Sequence, residues 1–238
     1  MSKKRKRGSV NHKKRESKKD DLEKLVKYHL RGDYLNALRV ANNIIKEKRD
    51  PNVICILAEM HLAGQGVEPN VAIAYQLFKE IAEDYDYPDA YNHLGLLYEY
   101  GNHVEESIDK AFDMYKKAEI HGSLEGKLNK MALIVKCPKL SSEISTSVAL
   151  LHIKSEAHKG SMIAQYLYAC FLLNDPELCN IHGRWGYFIP IVRRLRIKKN
   201  RKEALKHLIN SSLQGNSAAH TLLGSEFGLK LSTYPTPR

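Results

Sequence analysis

The feature that most constrains this chain is self-similarity at an interval of close to 37 residues. Leu57-Ala58-Glu59-Met60-His61 is echoed by Leu94-Gly95-Leu96-Leu97-Tyr98. In both, a glycine follows six residues after the small residue: Gly64 after Ala58, and Gly101 after Gly95. A second apolar segment comes next, carrying Ala72, Ala74, Tyr75 and Phe78 in one unit and Ala111, Met114, Tyr115 and Ala118 in the other. With the small residue as a ruler, the marks fall at Ala58, Gly95, Met131, Ala169 and Gly224, at intervals of 37, 36, 38 and 55. A unit of this size cannot bury its apolar face alone, so copies must stack, each leaning on the next.

Local signals say what the stacked unit is. Asp20-Asp21 can cap a helix over Leu22, Leu25, Val26 and Leu30 that Gly32 ends. Asp33-Tyr34 opens a second helix, with Leu35, Leu38, Ala41, Ile44 and Ile45 at helical spacing. Residues Gly32 to Leu38 resemble the turn between the helices of a tetratricopeptide unit. Small residues at Ala58, Ala90, Gly95 and Ala118 let helices approach, while Leu, Tyr and Phe fill the space between. Three places break the rhythm. Residues 136–147, with Pro138 and a serine cluster, suit a long loop. Residues 174–200 account for the 55-residue interval, and the chain stops after a first helix near residue 228, leaving Leu222, Leu223 and Phe227 in need of cover.

Ala90 through Gly101, Ala111 through Gly122, the turn Gly64-Gln65-Gly66-Val67, and Glu203-Ala204-Leu205 through Ala219 with Leu223-Gly224 resemble the Sel1-like repeat family. The resemblance covers about residues 33–228 and is weakest over 123–146. It implies an all-α fold, an α/α superhelical solenoid of Sel1-like, TPR-related helix pairs, whose concave face commonly binds other proteins. The expected organisation is a disordered basic tail over 1–19, a solenoid over 20–228 with a basic insertion at about 174–200, and a C-terminal tail over 229–238.

Charge is unevenly placed. Residues 1–19 carry ten Lys or Arg against Glu16 alone, and residues 178–202 carry eight with no acid; of a net +11, these two segments supply +9 and +8 and leave −6 on the remainder. With Val10 its one apolar residue beyond Met1, the tail cannot offset its ordering entropy. Cys55, Cys137, Cys170 and Cys179 show no repeated spacing, unlike the disulfide-stapled pairs of some secreted Sel1-repeat proteins, which points to a reducing compartment. Residues 12–24 are too polar for a secretory signal, and no run approaches the ~18 apolar residues that span a bilayer. The expectation is a soluble intracellular protein, cytoplasmic or nuclear.

Two segments are candidate binding sites. Lys3, Lys4, Arg5, Lys6 and Arg7, with Lys13, Lys14 and Arg15 behind them, have the composition of a nuclear import signal or of a polyanion-binding arm. In the insertion, Arg184, Trp185, Tyr187 and Phe188 precede Arg193, Arg194, Arg196, Lys198 and Lys199, an interleaving that suits stacking on bases and neutralising phosphates, or an acidic partner. The plainer reading is a loop whose aromatics pack and whose cations stay solvated. Cys179 and His182 have the spacing of one zinc-ligand pair but lack a second, and His152 and His158 do not share a helical face. Tyr91, Tyr98 and Tyr115 are read as packing between helices. There is no Gly-Lys-Ser/Thr phosphate loop and no Gly-x-Ser-x-Gly elbow, so no catalytic residue, cofactor or metal is expected. The function expected is a non-catalytic adaptor for a protein partner, with nucleic-acid binding through the tail and residues 184–202 as the alternative.

Overall fold

The computed structural model describes residues 21–174 and 190–229, with side chains described over 21–173 and 201–229. The described residues are all helical or connecting, without a strand. They divide into two compact units at Gly126–Lys127.

Unit 1 holds α1 (21–30), α2 (Tyr34–Glu47), α3 (Pro51–Ala63), α4 (Val71–Tyr85), α5 (Pro88–Tyr100) and α6 (Ile108–Ile120). Polar caps start these helices as the sequence suggests. The side chains of Asp33, Asp50, Asn70 and Ser107 each accept a backbone N–H in the first turn of α2, α3, α4 and α6. Pro88 starts α5 instead, where its missing N–H costs nothing.

The repeat is legible bond by bond. Gln65 N–H donates to Met60 O and Asn70 N–H to His61 O; 37 residues on, Asn102 N–H donates to Leu97 O and Ser107 N–H to Tyr98 O. Gly64 and Gly101 end α3 and α5 in the left-handed conformation, at φ 69° and 64°.

Two clusters form the core of unit 1. Leu25, Ala37, Ala41, Val53, Leu57 and Met60 make the first, and Ile54, Ala58, Phe78, Ile81, Leu94, Leu97 and Ala118 belong to the second. The small residues sit where helices approach most closely: a Cβ on Gly126 would lie 2.3 Å from Ala118 Cβ. Not every position in the expected stripes is interior. Leu30 and Leu35 are 69% and 73% exposed, and Val26 is exposed too. They flank the Gly32 turn, and Ala37 and Ala41 make the buried contact of α2 in their stead.

Unit 2 begins within α7 (Leu124–Lys136) and continues through a 3-10 turn at Pro138–Leu140, α8 (Thr146–His158), α9 (Met162–Asn174), α10 (Pro190–Leu213) and α11 (Ser217–Phe227). The long connection between α7 and α8 is the one expected over 136–147. The irregular spacing of the ruler recurs in the turns: Ser123 N–H donates to Ala118 O, Ser161 to Glu156 O and Asn216 to Ser211 O, with acceptors spaced 38 and 55 residues apart.

Leu128, Leu133, Ile134, Ile153, Ala157, Ala169 and Leu208 are buried here. Polar links join α9 to the end of α10: Ser211 Oγ donates to Met162 O at 2.8 Å, and Gln214 Nε2 to Gln165 Oε1 at 2.9 Å. At the C-terminal end, Leu223 is fully buried and Arg201 lies 4.7 Å from the Phe227 ring centroid, covering two of the residues that needed it.

The insertion differs from a plain loop. Helix α10 already begins at Pro190, so Arg193, Arg194, Arg196, Lys198 and Lys199 stand on helical backbone continuous with the repeat helix at 203–213. A Pro at the first helical position and a run of Arg, Leu and Lys with good helix propensity support this extension. Residues 1–20, the segment 175–189 with Arg184 and Trp185, and residues 230–238 lie outside the described residues. No described helix is long and apolar enough to cross a membrane.

Candidate acidic interaction row

The odd-numbered helices of unit 1 carry a polar row that periodicity alone does not single out. Asn52, Asp89 and Glu125 occupy the same position in three successive units, at the start of α3, α5 and α7, and all three are exposed. The repeat that sets helix packing thus also sets a column of side chains on the surface. Further along these helices, Glu59 of α3, two turns beyond Asn52, meets His93 of α5, one turn beyond Asp89, with Oε1 3.3 Å from Nε2.

The surroundings fix both partners. The His93 ring stacks on Phe78 at 4.4 Å between centroids. Cys55 Sγ donates to Glu59 Oε1 at 3.7 Å from one turn back on α3. Burial acts to raise the Glu59 carboxyl, but the hydrogen bond and charge of His93, the charge of His29 and the Cys55 thiol together hold it below the ordinary carboxylate value. Glu125 is pushed the other way, first by desolvation and then by the negative charge of Asp89 and Glu59, against a smaller pull from His93. The Tyr87 hydroxyl donates to Asn52 Oδ1 at 3.0 Å. It is pushed up to about 12 by burial first, then by Cys55, Asp89, Glu59 and Asp50. These shifts describe one negative neighbourhood spread across α3, α5 and the start of α7.

Next to this row, an open groove of about 350 Å³ lies against α1, α2 and the start of α3. Leu22, Val40, Ile44 and Val53 give it an apolar floor, and its rim carries Asp21, Glu47 and Asp50 together with Lys48, whose Nζ lies 3.7 Å from Asp50 Oδ2. Asp50 belongs to both features, capping α3 beside Asn52 and lining the groove.

Several groups read from the sequence fall elsewhere. Lys3, Lys4, Arg5, Lys6, Arg7, Lys13, Lys14 and Arg15, together with Arg184, Trp185 and the Cys179–His182 pair, are outside the described residues, as are the side chains of Arg193, Arg194, Arg196, Lys198 and Lys199. Tyr91 and Tyr115 are buried between helices, and Tyr98 bonds through its hydroxyl to that of Tyr75 at 3.2 Å, so all three are packing residues. Cys55, Cys137 and Cys170 are free thiols, and burial before all else pushes Cys55 above the usual thiol range, an inert setting for a nucleophile. Sequence reasoning missed Glu59, His93 and Glu125. The signal that could have found the column was the recurrence of a polar residue at Asn52, Asp89 and Glu125 beside the small-residue ruler.

Comparison with known proteins places these helix pairs. The family model of the Sel1 repeat matches residues 54–86, 88–123 and 194–216. The chain is similar to the crystal structure of a Sel1 repeat protein from Oxalobacter formigenes, at 20% identity and TM-score 0.53, over 88% of this chain and 77% of that one. It also resembles a protective antigen present in uropathogenic Escherichia coli strains that displays an SLR fold, at 17% identity and TM-score 0.45, over 82% of this chain and 45% of that one. No curated protein matches the chain in sequence. The Oxalobacter likeness shows the fold, an all-helical Sel1 solenoid.

Proposed function

We propose that this chain, which carries three Sel1 repeats, is a non-catalytic interaction scaffold whose acidic row receives a protein segment rich in Lys or Arg. Sel1 solenoids are typical of proteins that hold other proteins, which supports the class of function and leaves the ligand to the surface chemistry. The observation that carries the reading is the column Asn52, Asp89 and Glu125 beside Glu59, repeated by the architecture on a solvent-facing side of unit 1. Carboxylates already crowded together gain most from an arriving cation, because it relieves repulsion as well as forming an ion pair. The adjoining groove offers apolar burial for side chains that flank those cations.

Selection of a random displayed-peptide library on the full chain tests this. Enriched peptides should carry Lys or Arg beside an apolar residue. They should lose affinity about tenfold or more for the Asp89→Asn/Glu125→Gln variant, in keeping with a few tenths to several kcal/mol per charge pair. Enrichment of acidic peptides, or cationic peptides that bind the variant equally well, would overturn the reading.

A second reading is nucleic-acid binding through the tail and residues 184–202. Its support is the helical backbone under Arg193, Arg194, Arg196, Lys198 and Lys199, which gives the cations a regular spacing instead of a loop's.

A further inference from the structure

Unit 2 contains a cluster of a different chemical kind, formed by side chains distant in sequence. His158 ends α8, while Glu203 and His207 stand four residues apart on α10 and so share one helix face. One ligand-type atom from each, two imidazole nitrogens and a carboxylate oxygen, all lie within 4.8 Å of one another. We infer that His158, Glu203 and His207 form a binding site for a divalent transition metal of the zinc class, clasping the end of α8 to α10.

Three features of the surroundings prepare these groups as ligands. His158 Nδ1 lies 2.7 Å from Lys154 O, and because a carbonyl only accepts, Nδ1 carries the proton and Nε2 keeps its lone pair in the neutral ring. An imidazole oriented by donating its other N–H to a backbone carbonyl is the usual arrangement of a histidine that ligates a metal. Glu203 Oε1 accepts from the Tyr168 hydroxyl at 3.1 Å, which orients the carboxylate and leaves lone pairs on both oxygens.

His207 is only 5% exposed, and its Nδ1 has no hydrogen-bond partner. Its ring is held edge-on between His158 and Tyr168, at 5.4 and 5.3 Å between centroids. Packing of the ring leaves this buried nitrogen unsatisfied.

Two imidazoles and a carboxylate are a borderline N/O set suited to zinc, and three protein ligands leave a position open. A tetrahedral ion with bonds of about 2.0–2.1 Å holds its donors roughly 3.3 Å apart. The three groups must therefore draw together, which the exposed His158 and the half-buried Glu203 can do by side-chain rotation. Lys154 and Lys206 are nearby cations whose charge opposes that of a bound metal ion.

The test uses the full chain after chelator treatment, titrated with Co²⁺ and followed by visible absorption, then with Zn²⁺ as competitor. One Co²⁺ should bind per chain with the visible bands of a four- or five-coordinate N/O site and no thiolate charge-transfer band, and Zn²⁺ should displace it. His158→Ala, on an exposed side chain, and Glu203→Gln should each weaken binding by at least about tenfold while circular dichroism stays unchanged. Zn²⁺ should raise the Tm of the parent more than that of either variant. Absence of saturable binding in the parent, a thiolate band, or parental affinity retained by both variants would each overturn the site.

Discussion

The ring of Tyr115 occupies the space where a side chain on Gly95 would go: a Cβ built on Gly95 would lie 2.4 Å from Tyr115 Cε1. The ring is fully buried, and its hydroxyl donates to Glu99 Oε2 at 2.7 Å, one turn along the helix that carries Gly95. An aromatic anchored at its tip cannot swing aside. The missing side chain in α5 and the large one in α6 are therefore two halves of one contact.

Gly95→Leu should consequently destabilise by about 1–3 kcal/mol, the usual range for overpacking. At about 2–4 °C per kcal/mol for a chain of this size, the Tm falls visibly. Adding Tyr115→Leu should recover part of the loss, because it removes the ring that blocks the site. A Gly95→Leu chain that melts like the parent would show the helix register to be wrong.

Gly66 and Gly122 separate strain from packing. Both have positive φ, 73° and 96°, but a Cβ on Gly66 would lie 2.9 Å from the Tyr34 backbone, whereas one on Gly122 meets nothing within 4 Å. Alanine at either position carries left-handed strain, and only at Gly66 does it also strike backbone that cannot rotate away. Gly66→Ala should cost more than Gly122→Ala by about 1 kcal/mol or more, read from denaturant midpoints. Equal costs would contradict the close packing of this turn.

Glu59 and Glu125 should respond to pH with opposite signs. The Glu59 carboxyl is lowered from 4.5, so its stabilisation is present above that value and is lost as pH falls through the lower folded-state value. Glu125 is raised from 4.5, so its charged form disfavours the folded state at neutral pH. Glu59→Gln should lower the Tm at pH 7, and Glu125→Gln should raise it; the Glu125 difference should fade as pH falls towards 4.5 and the Glu59 difference only as pH falls below 4.5. Thermal melts between pH 3 and pH 7 read both signs, and a pair of shifts in the same direction would refute the shared negative neighbourhood.

Nucleic-acid affinity, where present, should be set by the tail. A chain starting at Lys19 should melt within a few degrees of the parent but lose most binding to single-stranded RNA. Changing Arg193, Arg194 and Arg196 together to Ala should leave the salt dependence nearly unaltered. Phosphate contacts made by those three would instead flatten the slope by up to about one unit each. Titrations at two salt concentrations tell the outcomes apart, and a flattened slope would move the nucleic-acid reading to α10.

The sequence by itself determined the helix pairs, their caps and their turns. Asp33, Asp50, Asn70 and Ser107 cap because their side chains reach an N–H two or three residues away, and Gly64 and Gly101 end helices because few other residues adopt that backbone angle. Such effects act within a handful of residues, and repetition at an interval of close to 37 residues multiplies the evidence for each. The close approach at Gly95 was legible for the same reason, as a small residue recurring on the ruler.

Only the tertiary structure decided which polar groups meet. Glu59 and His93 are 34 residues apart, and His158 reaches Glu203 and His207 across 45 or more. Those encounters depend on the rotation of each helix about its own axis as it stacks. Periodicity gives that rotation only as a broad apolar stripe, as the exposure of Leu30 and Leu35 shows. A hydrogen bond or a metal ligand needs placement within a fraction of an ångström, and packed side chains such as Phe78 and Tyr168 supply it where no local pattern can.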